Sequence, residues 1–485
     1  MEVPYHPRQG ELDCPATAQG LERVFQGVAD FASLSVELAQ GGTAELYWLV
    51  GMARNERLSD YIIRPLATTP LGPHPAKAIQ AGGVWTMVAQ SPKNLDEACV
   101  ALTEGSCGIW VEGELLVVPV PTEEKRAISP PEDEPAQKGG KDSFVEAIRT
   151  NTSLVRRRLH TWRLRIKSEI VGRESRTRVE VLWVEGITDP DLVDRAMKQL
   201  KNLDVDALLG NQQLTDAVTQ GARTLVPLVV STQRPDRFCL GLMEGRVGIF
   251  VDGIAQGWLC PGTVGPYFRA PQDQGNQWVV TRGLLAVRWL SVLISLLMPA
   301  GYIAMVAFHF GLMPAGLAES ISAARQNVPL SPPMEVLMLL VAFEILQEAG
   351  LRIPQLTGQS VSIIGSLVVG QAAVEAKLLS PVVVVVVAAA GIAGYTLPDQ
   401  DLGNALRGER LFLAVLASLF GAVGIVLGLA WTCCHLSELT PLGVPWLAPF
   451  APDVPKTACD ISRVPAEKTK LRELFLRPLD KRRRK

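Results

Sequence analysis

The chain has 485 residues, of which 48% are hydrophobic and 20% are charged, and its mean hydropathy is +0.19. This composition excludes a disordered chain, which would be poor in apolar residues, and the formal net charge of −2 gives no overall electrostatic basis for nucleic-acid binding. Charge is unevenly distributed, because residues 1–283 are rich in it whereas residues 284–436 contain long uncharged stretches. The sequence therefore predicts a soluble part followed by a membrane part.

The N-terminal part shows no signal for export or catalysis. Its first residues, MEVPYHPRQGELD, lack the apolar core of a signal peptide, so we expect this part to remain in the cytoplasm. The eight cysteines are scattered without a CxxC pair, which favours a reduced protein without a zinc site. The motifs GxxxxGK[ST], GxSxG, HExxH and GxGxxG are absent from the sequence. We therefore expect no enzyme activity and no cofactor.

The soluble part contains an internal repeat. Residues 101–113 read ALTEGSCGIWVEG, and residues 241–253, which begin 140 positions later, read GLMEGRVGIFVDG. A second pair of similar segments begins at Leu46 and at Val181, 135 positions apart. Each copy has the pattern of an apolar strand, then a helix, then a tight strand pair. The repeat predicts two related α/β subdomains.

A basic amphipathic helix is predicted after a linker rich in proline and charge. Its sequence, SFVEAIRTNTSLVRRRLHTWRLR, includes Arg156, Arg157 and Arg158. Three interpretations are open: a solvated or salt-bridged face, an interface with acidic groups of a neighbouring subunit, or contact with phospholipid headgroups. We take the three arginines as candidate subunit-interface residues. No interleaved aromatic residues support RNA binding.

Five apolar segments follow, over residues 289–318, 336–343, 353–374, 378–398 and 411–434. The first, fourth and fifth are long enough to span a membrane as helices. The second is short, and the third is rich in glycine, serine and glutamine. Lysine and arginine flank both ends of the region, so both termini are predicted to be cytoplasmic. This requires an even number of crossings, and the second or third segment is expected to be re-entrant or interfacial.

Acidic residues within this region are costly to insert into a bilayer. Glu344 and Glu348 follow the second apolar segment directly. Either they lie at the membrane interface or they line a hydrated interior.

The third segment, GQSVSIIGSLVVGQAAVEAK, carries a weakly polar helical stripe. Such a stripe fits either a contact between helices or the lining of a narrow pore that closes by dewetting. On the second interpretation, Val368 or Val369 forms the gate and Glu375 lies at the pore mouth. The pore and gate candidates are Ser362, Gly365, Ser366, Val368, Val369, Gln371 and Glu375.

A long run beginning PPMEVLMLLVAFEILQEAGLRIPQLTGQSVSIIGS closely resembles the signature of the GerA-type spore germination proteins, specifically the A subunit of nutrient germinant receptors. The resemblance continues upstream in FVEAIRTNTSLVRRRL and TQRPDRFCLGLMEGRVGIFVDG, and downstream in HLSELTPLGVPWLAP. It covers nearly the whole chain, from about residue 25 to residue 480. Where the family has Pro-Glu-Asp-Tyr before the first span, this chain has APQDQGNQW.

The resemblance implies a multi-pass protein of the inner spore membrane in an endospore-forming bacterium. It implies a homo-oligomeric ring, in contact with membrane lipid, whose membrane part is a nutrient-gated ion channel that triggers germination. It also implies two partners, a transporter-like B subunit and a lipoprotein C subunit, and no nucleic acid. The alternatives are a secondary transporter, a non-conducting membrane scaffold, or a paralogue without a nutrient-sensing partner.

The predicted fold class is an α/β cytoplasmic domain of two related subdomains, followed by an all-α multi-span membrane domain and a short basic tail. The predicted divisions are an N-terminal extension (1–24), a first α/β subdomain (25–122), a linker (123–141), a second α/β subdomain (142–283), a transmembrane domain (284–436) and a C-terminal basic cytoplasmic tail (437–485).

Overall fold

The structure, a computed structural model, describes residues 12–85, 88–122, 134, 140–219, 221–352, 370–451 and 471–483. The strands are β1 (Phe31–Glu37), β2 (Thr43–Leu49), β3 (Ser106–Val111), β4 (Glu114–Pro119), β5 (Leu164–Val171), β6 (Thr177–Val184), β7 (Val230–Thr232), β8 (Val247–Val251) and β9 (Gly257–Cys260).

Helices connect the strands and make up the region that follows them. They are α1 (Ala18–Val24), α2 (Asn55–Leu58), α3 (Arg64–Thr68), α4 (Pro75–Ala78), α5 (Leu95–Thr103), α6 (Ile148–Arg158), α7 (Pro190–Lys201), α8 (Asn211–Thr219), α9 (Pro235–Glu244), α10 (Val264–Tyr267), α11 (Trp278–Ala307), α12 (Ala315–Arg325), α13 (Pro332–Arg352), α14 (Pro381–Gly394), α15 (Gln400–Phe420) and α16 (Ala422–Glu438). Residues 370–375 are also helical.

Two antiparallel sheets form the α/β part, with strand orders β1-β2-β3-β4 and β5-β6-β8-β9-β7. Equivalent strands pair in the same register, since Glu45 lies opposite Trp110 in the first sheet and Glu180 lies opposite Phe250 in the second. These equivalent positions are 135 and 140 residues apart, the two offsets seen in the sequence repeat. The second sheet differs by the additional edge strand β7.

A glycine with positive φ leads from a helix into the third strand of each copy. Gly105 follows α5 with φ of 96°, and Gly245 follows α9 with φ of 105°. A side chain disfavours this left-handed conformation, and glycine adopts it without strain. At Gly105 a Cβ atom would also lie 2.7 Å from the carbonyl oxygen of Met52. The glycine of the repeated Glu-Gly pair is therefore required by the turn.

One hydrophobic core joins the two copies and reaches the helical region. It contains Leu21 and Leu102 from the first copy, Phe238 from the second, and Leu285 and Leu402 from helices α11 and α15. Burial of apolar surface stabilises the fold in proportion to the area removed from water. The α/β part and the base of the helical region are therefore held together by a shared core.

Helix α11 is 30 residues long and continues through Pro299. By length and composition it is the one helix in the described part of the chain that could cross a membrane, while α14 and α16 are shorter apolar helices. The helix is shifted relative to the predicted first segment of residues 289–318, because it begins at Trp278 and ends at Ala307, and α12 begins only at Ala315. The second segment, predicted to be short, forms the 21-residue helix α13.

The prediction of a single span over residues 411–434 is wrong. Gly421, with φ of 60° and ψ of −137°, ends α15 and turns the chain into α16. The two helices pack antiparallel, since a Cβ atom at Gly424 would lie 2.1 Å from the Leu416 carbonyl oxygen and one at Gly428 would lie 2.5 Å from the Leu413 side chain. The three glycines permit the turn and the close approach, which a count of apolar residues does not detect.

Helices α13 and α14 run in the same direction. Near the start of α13, Glu335 accepts a hydrogen bond from the backbone N–H of Ser380, which caps α14, at 2.8 Å. Further along, the Gln347 amide donates to the Tyr395 hydroxyl, at the end of α14, at 2.6 Å. The chain therefore leaves α13 at the end of the bundle opposite to the one where α14 begins.

The segments after α16 pack on the second subdomain. The Trp446 indole N–H donates to the Pro227 carbonyl at 2.8 Å, and Phe475 and Leu476 are buried in the core beneath the second sheet. Glu473, 1% exposed, is paired with Arg246 at 3.1 Å. The predicted short basic tail is corrected accordingly, because Phe475, Leu476 and this glutamate pack residues 471–483 onto the core of the second subdomain.

Candidate functional site

Charged side chains lie within the helical region, where α13 faces α15. Glu344 on α13 forms an ion pair with Arg410 on α15, with 2.6 Å between Oε1 and Nη2. Arg407, one turn earlier on α15, approaches the second oxygen of Glu344 to 3.8 Å. Arg410 is 2% exposed, and its guanidinium also lies 5.9 Å from the centre of the Phe343 ring. The acid selected from the sequence is thus half-buried and paired within the chain.

A second acid, Glu409, connects α15 to α16. It is 7% exposed and accepts a hydrogen bond from the Thr432 hydroxyl at 3.1 Å. Arg407, Glu409 and Arg410 come from one run, RGER, directly before an apolar segment. Sequence reasoning missed these residues because the segment was taken to begin at residue 411. Three charges within four positions of the start of an apolar segment are the signal that could have revealed them.

A further buried acid lies at the other end of the bundle. Glu335 is fully buried and lies 3.3 Å from the Arg325 guanidinium of α12, in addition to its bond from the Ser380 N–H. This group fixes the start of α13 and the start of α14 to each other. In the sequence, Glu335 directly precedes the second apolar segment, residues 336–343.

Arg237 connects the α/β part to the helical region. On α9, it pairs with Glu134 and lies 3.5 Å from Asp399, whose Oδ1 accepts the Leu402 N–H at 3.2 Å and caps α15. Burial alone would lower the pKa of Arg237, but the two carboxylates outweigh it and hold the pKa above its ordinary value. The guanidinium is therefore a permanent positive charge between the second sheet and the first turn of α15.

A second connection fixes the base of α11. Arg288 forms a buried, doubly bonded ion pair with Asp273, at 2.6 and 3.0 Å, and donates to the Phe268 carbonyl at 2.8 Å. The Phe268 and Trp289 rings stack with centroids 3.9 Å apart. Movement of the second subdomain would therefore be transmitted directly to α11 and α15.

Most of the predicted pore residues, Ser362, Gly365, Ser366, Val368 and Val369, lie outside the described residues. Gln371 and Glu375 lie on the helical residues 370–375 and are exposed on the surface of the single chain, and Glu348 is also exposed, one turn beyond Glu344. Within the described part of the chain, Gln371, Glu375 and Glu348 do not line a common cavity. Within the described ranges, no group of three or more His, Cys, Asp or Glu side chains could hold a metal ion.

The interface candidate Arg156 is corrected by the structure. Its side chain is fully buried and forms a doubly bonded ion pair with Asp30, at 2.9 and 3.0 Å, so it cannot meet a neighbouring subunit. The reason is that α6 lies between the two sheets and directs this residue at the first subdomain. Arg157 and Arg158 remain at the surface, where Arg157 donates to the Thr122 carbonyl at 3.2 Å and Arg158 pairs with Asp142.

Comparisons with known proteins identify relatives over almost the full length. The family model described as "Bacillus/Clostridium GerA spore germination protein" matches residues 19–475. The membrane protein YfkQ of Bacillus subtilis strain 168 is 30% identical over 439 residues, covering 90% of this chain and 85% of that protein. Spore germination protein B1 of the same strain is 30% identical over 412 residues, covering 84% of each chain.

A solved structure is also similar. The N-terminal domain of the A subunit of the Bacillus megaterium spore germinant receptor GerK3 shares 24% identity, covers 51% of this chain and 95% of that chain, and has a TM-score of 0.41. The match of the family model over residues 19–475 confirms the resemblance found in the sequence. The chain belongs to the GerA family of spore germination proteins.

Proposed function

We propose that this chain is the membrane subunit of a spore germinant receptor, in which a homo-oligomer forms a nutrient-gated ion channel that triggers germination. Its place is the inner spore membrane, together with a transporter-like B subunit and a lipoprotein C subunit, and its role is not enzymatic. Membership of the GerA family supports the role in spore germination. The observation that carries the channel proposal is the presence of charges between apolar helices, where the buried Arg410 pairs with the half-buried Glu344 and the buried Glu409 accepts a hydrogen bond from Thr432.

The distribution of exposed apolar side chains supports membrane placement. Of the 36 exposed large hydrophobic side chains in the described residues, 26 lie between Trp278 and Trp431. An apolar surface of this extent marks contact with lipid or with other subunits. On α11, Val280, Leu284 and Val287 are exposed, whereas Thr281 and Arg288, about 90° around the helix, are buried. The apolar face of α11 therefore points away from its own chain.

Both ends of the helical region belong on one side of the membrane. The α/β part before α11 and residues 471–483 after α16 are joined by the buried pair of Arg246 and Glu473. Two segments that share a core cannot lie on opposite sides of a bilayer. An even number of crossings follows, as the positions of basic residues predict. The parallel arrangement of α13 and α14 puts the end of α13 and the start of α14 at opposite ends of the bundle, and the gate candidates Val368 and Val369 lie in the sequence between these two helices.

A charged group within such a bundle gives an ion a place to exchange water for protein ligands. Glu344 is paired but half-buried, so a small rotation of α13 against α15 would open one oxygen to a conduit. An acid at this position would favour cations. The contact of Arg237 with Asp399 would transmit a change in the α/β part to the base of α15, and the contact of Arg288 with Asp273 would transmit it to the base of α11.

The proposal is tested by single-channel recording of the purified full-length protein in lipid bilayers. A gated, cation-selective conductance is expected, and Glu344→Gln should reduce its cation selectivity. Glu319→Gln is the matched control, because Glu319 lies on the exposed face of α12. Saturable coupled flux without channel openings would indicate a secondary transporter. Absence of both, in protein that assembles with its partner subunits, would indicate a scaffold, and either result would overturn the channel proposal.

A further inference from the structure

A cleft of about 480 Å³ lies between helices α7 and α8 and the segment that follows α16. This is within the size range of small-molecule sites, about 300–1,000 Å³. The polar part of its wall comes from Arg195, Lys198, Gln199 and Asn202 on and just after α7, and its apolar part includes Leu228 and Leu442. The cleft is separate from the charged groups between α13, α15 and α16.

Two positive charges face this cleft without a carboxylate partner among the described residues. Arg195 uses its Nε to bond the Asp191 carbonyl oxygen at 3.0 Å, and within the described part of the chain its terminal nitrogens form no ion pair. Lys198, one turn later and exposed, likewise forms no ion pair with a described residue. The Oε1 of Gln199 is buried beside them without a hydrogen-bond partner among the described residues. Unpaired charges and a buried, unsatisfied amide in one concave wall indicate a place for a polar ligand.

The opposite wall allows the guanidinium to approach the backbone closely. Gly443 has φ of 79°, and a Cβ atom there would lie 2.3 Å from Nη1 of Arg195. Any other residue at position 443 would displace the guanidinium from the cleft or strain the turn. Gly443 therefore leaves room for the Arg195 guanidinium at the wall of the cleft.

The location of the cleft restricts the ligand. Glu438 is the last residue of α16 and also lines the cleft, with Leu439 next to it. If α16 returns from the membrane here, which rests on the proposed function, the cleft opens at the level of lipid headgroups. An apolar wall beside two cations matches a molecule that is charged at one end and apolar at the other. Glu438, at the rim, disfavours a second negative charge.

We propose that this cleft binds the phosphate of an acidic phospholipid, with Arg195 and Lys198 as its ligands. Arginine and lysine are the side chains that proteins use for phosphate groups, and basic residues near a membrane surface attract acidic lipids. The site would hold residues 438–443 and α7 together through the lipid. The second subdomain would then be tied to the membrane surface as well as to the helix bases.

Native mass spectrometry of the full-length protein in detergent tests the assignment, with phosphatidylglycerol and phosphatidylcholine as probes. We expect retention of phosphatidylglycerol over phosphatidylcholine. The double variant R195Q/K198Q should lose phosphatidylglycerol affinity by tenfold or more, since each basic residue contributes separately. The control is Lys201→Gln, on the same helix but outside the cleft and paired with Glu169 at 3.3 Å, and it should bind as the wild type does.

Two outcomes would overturn the proposal. Equal phosphatidylglycerol binding by the wild type and by R195Q/K198Q, at unchanged melting temperature, would show that the cleft is not the site. Displacement of the lipid by inorganic phosphate at millimolar concentration would assign the two residues to a soluble phosphate compound. The measurement does not depend on conductance, so a negative result leaves the channel proposal standing.

Discussion

Asp30 and Arg156, 126 residues apart in the chain, form an ion pair that solvent does not reach, with hydrogen bonds of 2.9 and 3.0 Å. Asp30 directly precedes β1 of the first sheet, and Arg156 lies in the last turn of α6, which belongs to the second copy. The Arg156 Nη1 also donates to the Thr161 carbonyl at 3.3 Å, so the guanidinium is held from both sides. The pair is therefore a fully buried polar connection between the two subdomains.

Replacing Arg156 with Gln should strongly destabilise the α/β part. The substitution leaves Asp30 buried and uncompensated, and breaking a buried pair in this way costs about 3–5 kcal/mol. Thermal unfolding of the full-length protein in detergent, with limited proteolysis of the link between the subdomains, measures the effect. Arg157→Gln, exposed on the same helix, is the matched control and should change the unfolding free energy by less than about 0.5 kcal/mol. Equal losses of unfolding free energy in Arg156→Gln and Arg157→Gln would contradict the special role of the buried Arg156 pair.

The stability of the second sheet should depend on pH through Glu180. This residue lies on β6, is fully buried, and accepts a hydrogen bond from the Thr152 hydroxyl at 2.5 Å. Burial raises the pKa of its carboxyl above the ordinary value, more than Thr152 and Arg149 lower it. A carboxyl with a raised folded-state pKa binds its proton more tightly when folded. The fold therefore loses stability as pH rises from about 4.3 through the raised pKa.

Glu180→Gln removes this ionisation. The unfolding free energy of the variant, taken relative to wild type, should increase as pH is raised above about 4.3. Paired denaturant titrations at each pH measure the difference, which cancels the other titrating groups common to both proteins. A difference that stays flat over this range would show that Glu180 does not titrate there.

The Asp399 carboxylate should have two separable roles. It caps α15 through the Leu402 N–H and faces Arg237 across the junction. Asparagine caps helices as well as aspartate does, whereas alanine does not, so Asp399→Ala should cost about 1 kcal/mol more stability than Asp399→Asn. Both variants remove the charge that faces Arg237. We therefore expect both to weaken nutrient-triggered ion release from spores, with only the alanine variant showing the additional loss in thermal stability.

Normal ion release in the Asp399→Asn variant, at wild-type protein level, would contradict this prediction. Asp401→Asn is the control, because its side chain lies in the first turn of α15 but forms no bond with Arg237. Spores that carry Asp401→Asn should germinate normally.

The gate is predicted at Val368 or Val369, in the stretch of chain outside the described residues. An aliphatic constriction closes a pore because an ion there would lose hydration without gaining ligands. Val369→Ser should wet the constriction, and a bias of about 1.4 kcal/mol towards the open state would raise its population tenfold relative to the closed state. The expected phenotype is ion leak or germination without nutrient. Lower protein level without leak would instead identify the valines as helix-packing residues.

Glu375→Gln tests the pore mouth separately. Glu375 is exposed on the helical residues 370–375, where an acid could concentrate cations in front of an opening. Reduced cation conductance at normal protein level is expected. An unaltered conductance in both the Val369 and Glu375 variants would remove these two residues from the conduit and leave Glu344 and its helix as the lining.

The sequence alone predicts the parts of this molecule that repeat or that have a fixed local cause. The offsets between Leu46 and Val181 and between the two Glu-Gly motifs agree with the register of the two sheets, because strand alternation and the glycine turn are local properties. The family is likewise evident from continuous motifs. These features depend on residues that are neighbours in the chain.

Long-range packing accounts for what the sequence did not predict. Arg156 belongs to an exposed-looking basic run, and only the partner 126 residues away shows that it is buried. Glu473 lies in a tail that reads as basic, and its partner Arg246 is 227 positions distant. In the helical region, Arg410 lies at the edge of an apolar segment and acquires its role from Glu344 on another helix. The composition of a segment does not reveal which distant residue its charges pair with.

The turn at Gly421 has a consequence for how the protein is made. In the membrane placement proposed here, α15 carries Arg407, Glu409 and Arg410 into the bilayer. Helix α16 has 17 residues, fewer than the roughly 20 that a bilayer core requires. Neither helix is suited to enter the bilayer alone. Joined through one glycine, with the Thr432 hydroxyl on Glu409, they can leave the translocon together as a preformed pair. Since α13 is synthesised earlier, Glu344 is already present to receive Arg410 when this pair arrives.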